Sequence, residues 1–160
     1  MSPAWTANWI WSLPIIALTL MFHAASIVLI SVWLGRVGAA LERRDWTLWR
    51  CVLVCVVMIG VVGWMLALLH GLEAGLWACV FFWLGALPSF ADAMLYSLDS
   101  ISTRGESGLR LDAHWRLMGA LEAVNGVLLF GISTAFLFTA VAAARDMLAE
   151  VARKHGHRPS

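Results

Sequence analysis

The sequence predicts an all-α integral membrane protein, and three observations carry that expectation. Apolar residues make up 61% of the 160-residue chain and mean hydropathy is +0.81, above the range of soluble domains. No acidic or basic side chain occurs in residues 1–34, 51–72 or 123–144, and each stretch exceeds the roughly 20 apolar residues that carry a helix across a bilayer. The remaining charges collect in the segments around those stretches. The expected architecture is three transmembrane helices with an outer interfacial helix and a short re-entrant helix and loop before the last span.

The first span covers residues 9–33. It is preceded by no basic region and no small-residue cleavage pattern, so it reads as a retained helix rather than a signal peptide. Trp5, Trp9 and Trp11 mark its outer end, and Trp33 and Trp46 the inner face, because amphipathic indoles prefer the headgroup level. Arg36, Arg43, Arg44 and Arg50 follow this span, and Arg145, Arg153, Lys154 and Arg158 follow the last one, while the N-terminal segment has no basic residue. The positive-inside rule then places both basic segments in the cytoplasm. The chain is expected to be a multi-pass protein of the plasma (inner) membrane, with its N-terminus outside and its C-terminus cytoplasmic. The first span has no regular row of arginines, so no voltage sensor is expected.

Residues 51–72 form the second span. Residues 74–87 are apolar but short for a span, and Trp77 and Trp83 suit an interface, which predicts an outer interfacial helix or a kinked extension of the second span. A fourth span there would turn Arg43 and Arg44 outward, against the charge rule. Cys51 and Cys55 share a helix face without a second ligand pair; together with Cys79 they read as small buried apolar residues, not as a zinc site or disulfide. His23 and His70 lie on separate spans, which raises a haem reading. With His23 at mid-membrane and His70 near the outer end, their depths do not match a shared iron. No metal site and no cofactor is expected. His70 and Glu73, at i and i+3 near the outer face, can couple to the outer turret and sense external pH.

Pro88 breaks the preceding element, and Ser89 with Asp92 three positions later forms an S-x-x-D capping pattern. A helix over 90–101 follows, roughly 18 Å long at ~1.5 Å per residue, which reaches about halfway into the hydrocarbon. Its carbonyl end carries the negative pole of the helix dipole and favours a cation. Asp99, in the last turn, opposes that dipole and needs a partner at membrane depth. Arg104, five residues on, can supply it; the alternative is that Arg104 turns toward the lumen. The loop Ser102-Thr103-Arg104-Gly105-Glu106-Ser107-Gly108 then leads to a long apolar helix from Trp115. On that helix Glu122 and Asn125 lie at i and i+3, and Leu129, Ser133 and Phe136 continue the stripe. Glu122 either lines a pathway or is hydrogen-bonded behind the short helix. Gly126 and Gly131 allow bending or close packing.

The run from Tyr96-Ser97-Leu98 through Ser102-Thr103 resembles the end of a potassium-channel pore helix, and residues 115–126 look like the inner helix of small bacterial members of that superfamily. The resemblance covers roughly residues 70–140. It implies a homotetramer in membrane lipid, with a pore loop entering from outside and a selectivity filter made by Ser102, Thr103, Arg104, Gly105, Glu106 and Ser107. It also implies that Arg104 turns behind the filter toward Asp99, that Glu122, Asn125, Leu129 and Ser133 line the pore, and that Phe136 forms an inner constriction. Residues 1–70 would be two peripheral helices with a basic loop, 71–148 a pore domain and 149–160 a basic tail.

The filter departs from the potassium signature TVGYG, keeping only the threonine and the first glycine. Thr103-Arg104-Gly105-Glu106-Ser107 is similar to the Thr-Val/Ile-Gly-Glu/Asp filters of non-selective cation channels, such as the cyclic-nucleotide-gated and NaK types. A ring of four Glu106 carboxylates would attract cations, unless Glu106 is a solvated loop carboxylate paired with Arg110. The implied function is a weakly selective cation channel with K+ and Na+ as permeant ions and Ca2+ held or passed at the acidic ring. A centre sealed by Asp99 and Arg104 would leave a non-conducting scaffold, and an axial Arg104 would pass anions. Without a repeat, a phosphate-binding glycine motif or a nucleophile elbow, no enzyme chemistry and no nucleic-acid partner is expected.

Overall fold

The computed structural model describes residues 3–42, 47–105 and 107–156. The described chain is helical: α1 (Pro3–Glu42), α2 (Leu48–Trp83), α3 (Phe90–Ile101), a single 3₁₀ turn (Ala113–Trp115) and α4 (Arg116–Gly156). α1, α2 and α4 are each long and apolar enough to cross a membrane. At most 22% of the most hydrophobic window of any of them is buried inside the chain. Their apolar surface is therefore directed outward, which a bilayer tolerates and water does not. Arg43, Arg44, Trp46 and Arg158 of the basic segments lie outside the described residues.

Of the two readings of residues 71–87, a separate outer helix does not form; the second span is extended instead, and α2 continues unbroken through residue 83. No proline interrupts that stretch, and the helix runs on through Gly71 and Gly75, which a membrane helix tolerates. The real stop comes at Gly85, whose φ of 65° supplies the left-handed residue of a Schellman motif. Ala86 N–H donates to the Phe81 carbonyl at 2.9 Å and Gly85 N–H to the Phe82 carbonyl at 3.1 Å. Pro88 follows and prevents the helix from resuming.

Residue contacts divide the chain into two units, residues 1–25 with 68–132 and residues 26–67 with 133–160. In the first, Trp77, Phe81, Ala93, Leu111 and Met118 form the centre of the core with Ile15. Trp77 is fully buried, so its expected place at an interface is corrected: because α2 is continuous, its ring turns inward against Phe81. In the second unit Cys51 and Cys55 are buried, and Cys55 Sγ approaches the Ala144 carbonyl at 3.8 Å. Cys79, in the first unit, is exposed rather than buried.

Buried polar side chains tie α1 to α4 in the first unit. Asn8 Oδ1 accepts from Met118 N–H at 2.8 Å, and Asn8 Nδ2 donates to the His114 carbonyl at 2.6 Å. One side chain from α1 thus satisfies a donor in the first turn of α4, a group that helix geometry leaves without an internal partner. Further along, Asn125 Nδ2 donates to Thr19 Oγ1 at 2.9 Å, and Thr19 returns its own hydroxyl to the Ile15 carbonyl.

α3 rests on α4 through two glycines. A Cβ at Gly119 would meet Tyr96 Oη at 2.1 Å, and one at Gly126 would meet the Ile101 carbonyl oxygen at 2.1 Å. The second contact is with backbone, which cannot rotate away. Gly131 has nothing within 4 Å of the same position. Gly126 is therefore a packing glycine at the end of α3. Gly126→Ala is expected to lower unfolding stability by about 3 kcal/mol, the upper part of the overpacking range, and Gly131→Ala by less than about 0.5 kcal/mol. Thermal unfolding of both variants in detergent checks this; equal midpoints would contradict the backbone contact.

Candidate functional site

The first unit places α3, the loop after it and the start of α4 around one polar centre. α3 begins as its sequence demands: Ser89, in an extended conformation, accepts from Asp92 N–H at 3.0 Å and donates to Asp92 Oδ2 at 2.6 Å. It ends in a second Schellman motif. Thr103 N–H donates to the Ser100 carbonyl at 2.9 Å and Arg104 N–H to the Asp99 carbonyl at 3.0 Å. The left-handed position of this motif, normally a glycine, is held by Thr103 with φ 57°. A β-branched residue pays about 1–2 kcal/mol to adopt that conformation, so surrounding contacts must hold it there.

Asp99 supplies them. Its side chain is 5% exposed, and both oxygens accept hydrogen bonds, Oδ1 from Arg104 Nε at 2.9 Å and Oδ2 from Ser107 N–H at 2.9 Å. Ser102 Oγ adds a bond to the Asp99 carbonyl at 3.2 Å. The carboxylate that opposes the helix dipole is thereby compensated by a guanidinium and a backbone donor, and the loop folds back over the end of α3. Arg104 meets Asp99 while its own side chain stays 59% exposed. Residues 102–105 are exposed and Ser107 is half-buried; Gly105 and Gly108 have φ of 69° and 72°. Glu106 lies outside the described residues.

The stripe expected to line a pathway is turned inward. Glu122, Asn125 and Leu129 are fully buried within the chain, Ser133 nearly so, and Phe136 half-buried. A side chain that faces a central axis is open in its own subunit, and Glu122, Asn125, Leu129 and Ser133 are not. Their spacing places them on the face that α4 needs for packing: Glu122 sits beside the Ser97 and Ser100 hydroxyls of α3, and Asn125 is bonded to Thr19 of α1. The exposed face of α4 in this unit carries Val124, Val127, Leu128 and Ile132 instead.

A second cluster brings His23 to the His70 and Glu73 pair, a meeting the sequence reading does not anticipate. His23 Nδ1 lies 2.8 Å from Glu73 Oε1, and His70 Nδ1 lies 3.2 Å from Glu73 Oε2. The two imidazoles are 5.4 Å apart, and His70 stacks on Phe130 of α4 with ring centroids 4.3 Å apart. The expected mismatch in depth between His23 and His70 is corrected. It assumed that α2 ends near residue 72, whereas its continuation to residue 83 places His70 well inside the helix, level with the middle of α1. The signals that could have found the cluster were the i, i+3 spacing of His70 and Glu73 and the presence of a titratable His23 within an apolar span.

Comparison with family models, curated proteins and solved structures found no match.

The two partners of the Asp99–Arg104 pair carry unequal weight. Asp99→Ala leaves the Ser107 donor and the loop unheld and is expected to cost about 2 kcal/mol or more of stability. Arg104→Ala removes a largely exposed guanidinium and is expected to cost about 1 kcal/mol or less. Denaturant unfolding of the two variants in detergent tests this asymmetry; a larger cost for Arg104→Ala would show that the ion pair, not the backbone clamp, holds the loop.

Proposed function

We propose that this chain is the subunit of a homotetrameric, weakly selective cation channel, in which α3 is a re-entrant pore helix and residues 102–107 form the filter. The observation that carries the reading is the capped 12-residue α3, set between α2 and α4 and followed by a held, exposed loop with left-handed residues at positions 103 and 105. Backbone that is neither helix nor sheet is tolerated at membrane depth only where it is buried in protein or lines a water-filled path. A loop exposed in its own subunit, yet clamped to the helix behind it, suits the second of these.

The sign of the permeant ion follows from charge placement. Four α3 C-termini set around an axis contribute a negative helix-dipole potential there, although the Ile101 carbonyl itself packs against Gly126. Arg104 is drawn back by Asp99, which favours cation over anion passage. Glu106, if directed to the outer mouth, adds an acidic ring that attracts monovalent cations and retains Ca2+. The filter lacks the tyrosine and second glycine of the potassium signature, which supports weak discrimination between K+ and Na+. The lining of the wider path falls to the exposed face of α4 around Val124, Val127 and Leu128, an apolar wall in keeping with a dewetting gate.

Planar bilayer recording of the purified protein tests the reading. The expected result is a reversal potential that follows the cation gradient, with K+ and Na+ permeabilities within about a factor of ten of each other, a difference of no more than about 1.4 kcal/mol. A reversal potential that follows chloride would contradict it, as would the absence of any conductance from protein shown to be folded.

A further inference from the structure

We propose that His23, His70 and Glu73 form a binding site for a divalent transition-metal ion that staples α1 to α2, apart from the ion pathway. The three residues offer two imidazole nitrogens and one carboxylate oxygen, and the donor atoms all lie within 4.8 Å of one another. Tetrahedral coordination at about 2.0–2.1 Å sets donors about 3.3 Å apart, so small side-chain rotations bring this set onto one ion. Two of the distances are already at or inside that spacing, His23 Nδ1 to Glu73 Oε1 at 2.8 Å and His70 Nδ1 to Glu73 Oε2 at 3.2 Å.

The scaffold suits such a site. His70 and Glu73 are one helical turn apart on α2 and project together toward His23 on α1. Helical bundles build metal centres in this way, with an i, i+3 histidine and carboxylate pair meeting ligands from a facing helix. Two histidines and a glutamate are also an established zinc donor set, one that leaves a fourth position open. Imidazole with carboxylate suits first-row divalent ions in general, with affinity rising toward copper and zinc.

Burial gives the cluster its energetic need. The Glu73 side chain is fully buried, as is that of His23, and His70 is 11% exposed. A carboxylate removed from water must be paired or neutralised, and at this position both of its oxygens face imidazole nitrogens. A dication satisfies the carboxylate and both lone pairs at once. The competing arrangement is a proton shared among the three groups, with no metal. His70 is the least buried of the three, and its stacking on Phe130 fixes the ring plane.

The test uses the full chain in detergent, with His155→Ala and His157→Ala introduced to remove tail histidines that bind metal adventitiously, and with resident metal stripped by a chelator. Zn2+ retained after dialysis is measured by elemental analysis, and Co2+ is titrated as a spectroscopic probe. The expected result is one equivalent of Zn2+ per chain and intense visible Co2+ bands of a four-coordinate site. His23→Ala and Glu73→Gln should each weaken binding by about 100-fold or more, and Zn2+ should raise the melting midpoint of the parent but not of these variants. Weak six-coordinate Co2+ bands in the parent, or no retained Zn2+, would overturn the proposal in favour of the shared proton, even if the variants fail to fold. Undiminished binding in folded His23→Ala and Glu73→Gln would overturn it too, by placing the metal elsewhere. No readout involves ion flux, so the result is independent of the channel reading.

Discussion

The carbonyl end of α3 lies directly on the backbone of α4 at Gly126, and the polar centre of the first unit depends on that approach. Because a single Cβ would occupy the space of the Ile101 carbonyl, no other residue lets the end of α3 come so near. That contact sets the position of Asp99, two residues earlier. Asp99 in turn holds Arg104 and Ser107 and so fixes the loop between them. The left-handed Thr103 is the visible strain in this arrangement, and the bonds on either side of it are what keep it in place.

In a medium without water, polar groups must find partners within the protein, and α1 has the task of supplying them. Asn8 closes the first turn of α4, Thr19 receives Asn125, and His23 meets Glu73. These three contacts come from one helix at successive levels. Each replaces a hydrogen bond that lipid cannot offer. The apolar side chains do the opposite, and most of those on the three long helices face away from the chain's own interior. This division explains why Asn8, Thr19, His23, Glu73, Glu122 and Asn125 are buried, and why so many leucines and valines are exposed.

The helical composition, the three spans and the limits of α3 were legible because each rests on a local signal: charge-free length for the spans, and Ser89 with Asp92 for the start of α3. The Asp99 to Arg104 contact was legible from the cost of an unpaired carboxylate near a helix C-terminus. The end of α2 was not. Residues 71–83 are compatible with either a new interfacial helix or a longer span, and only the left-handed turn at Gly85, a tertiary choice, decides between them. One misplaced boundary carried two others with it, the position of Trp77 and the depth of His70. The inward turn of Glu122, Asn125 and Leu129 was hidden for a different reason. Periodicity identifies a face of α4, but a polar stripe in a membrane helix can meet either a water path or a polar partner inside the bundle, and spacing alone does not distinguish them.

The proposed role requires four copies of α3 to direct their C-terminal ends at a common axis. Cryo-electron microscopy of the protein in lipid nanodiscs measures that directly. The expected map has fourfold symmetry, with the backbone of residues 102–107 nearest the axis, the exposed face of α4 around the path, and Glu122 and Asn125 behind α3. A monomer, a different symmetry, or a tetramer whose 102–107 segments lie on its periphery would contradict a pore built from this loop.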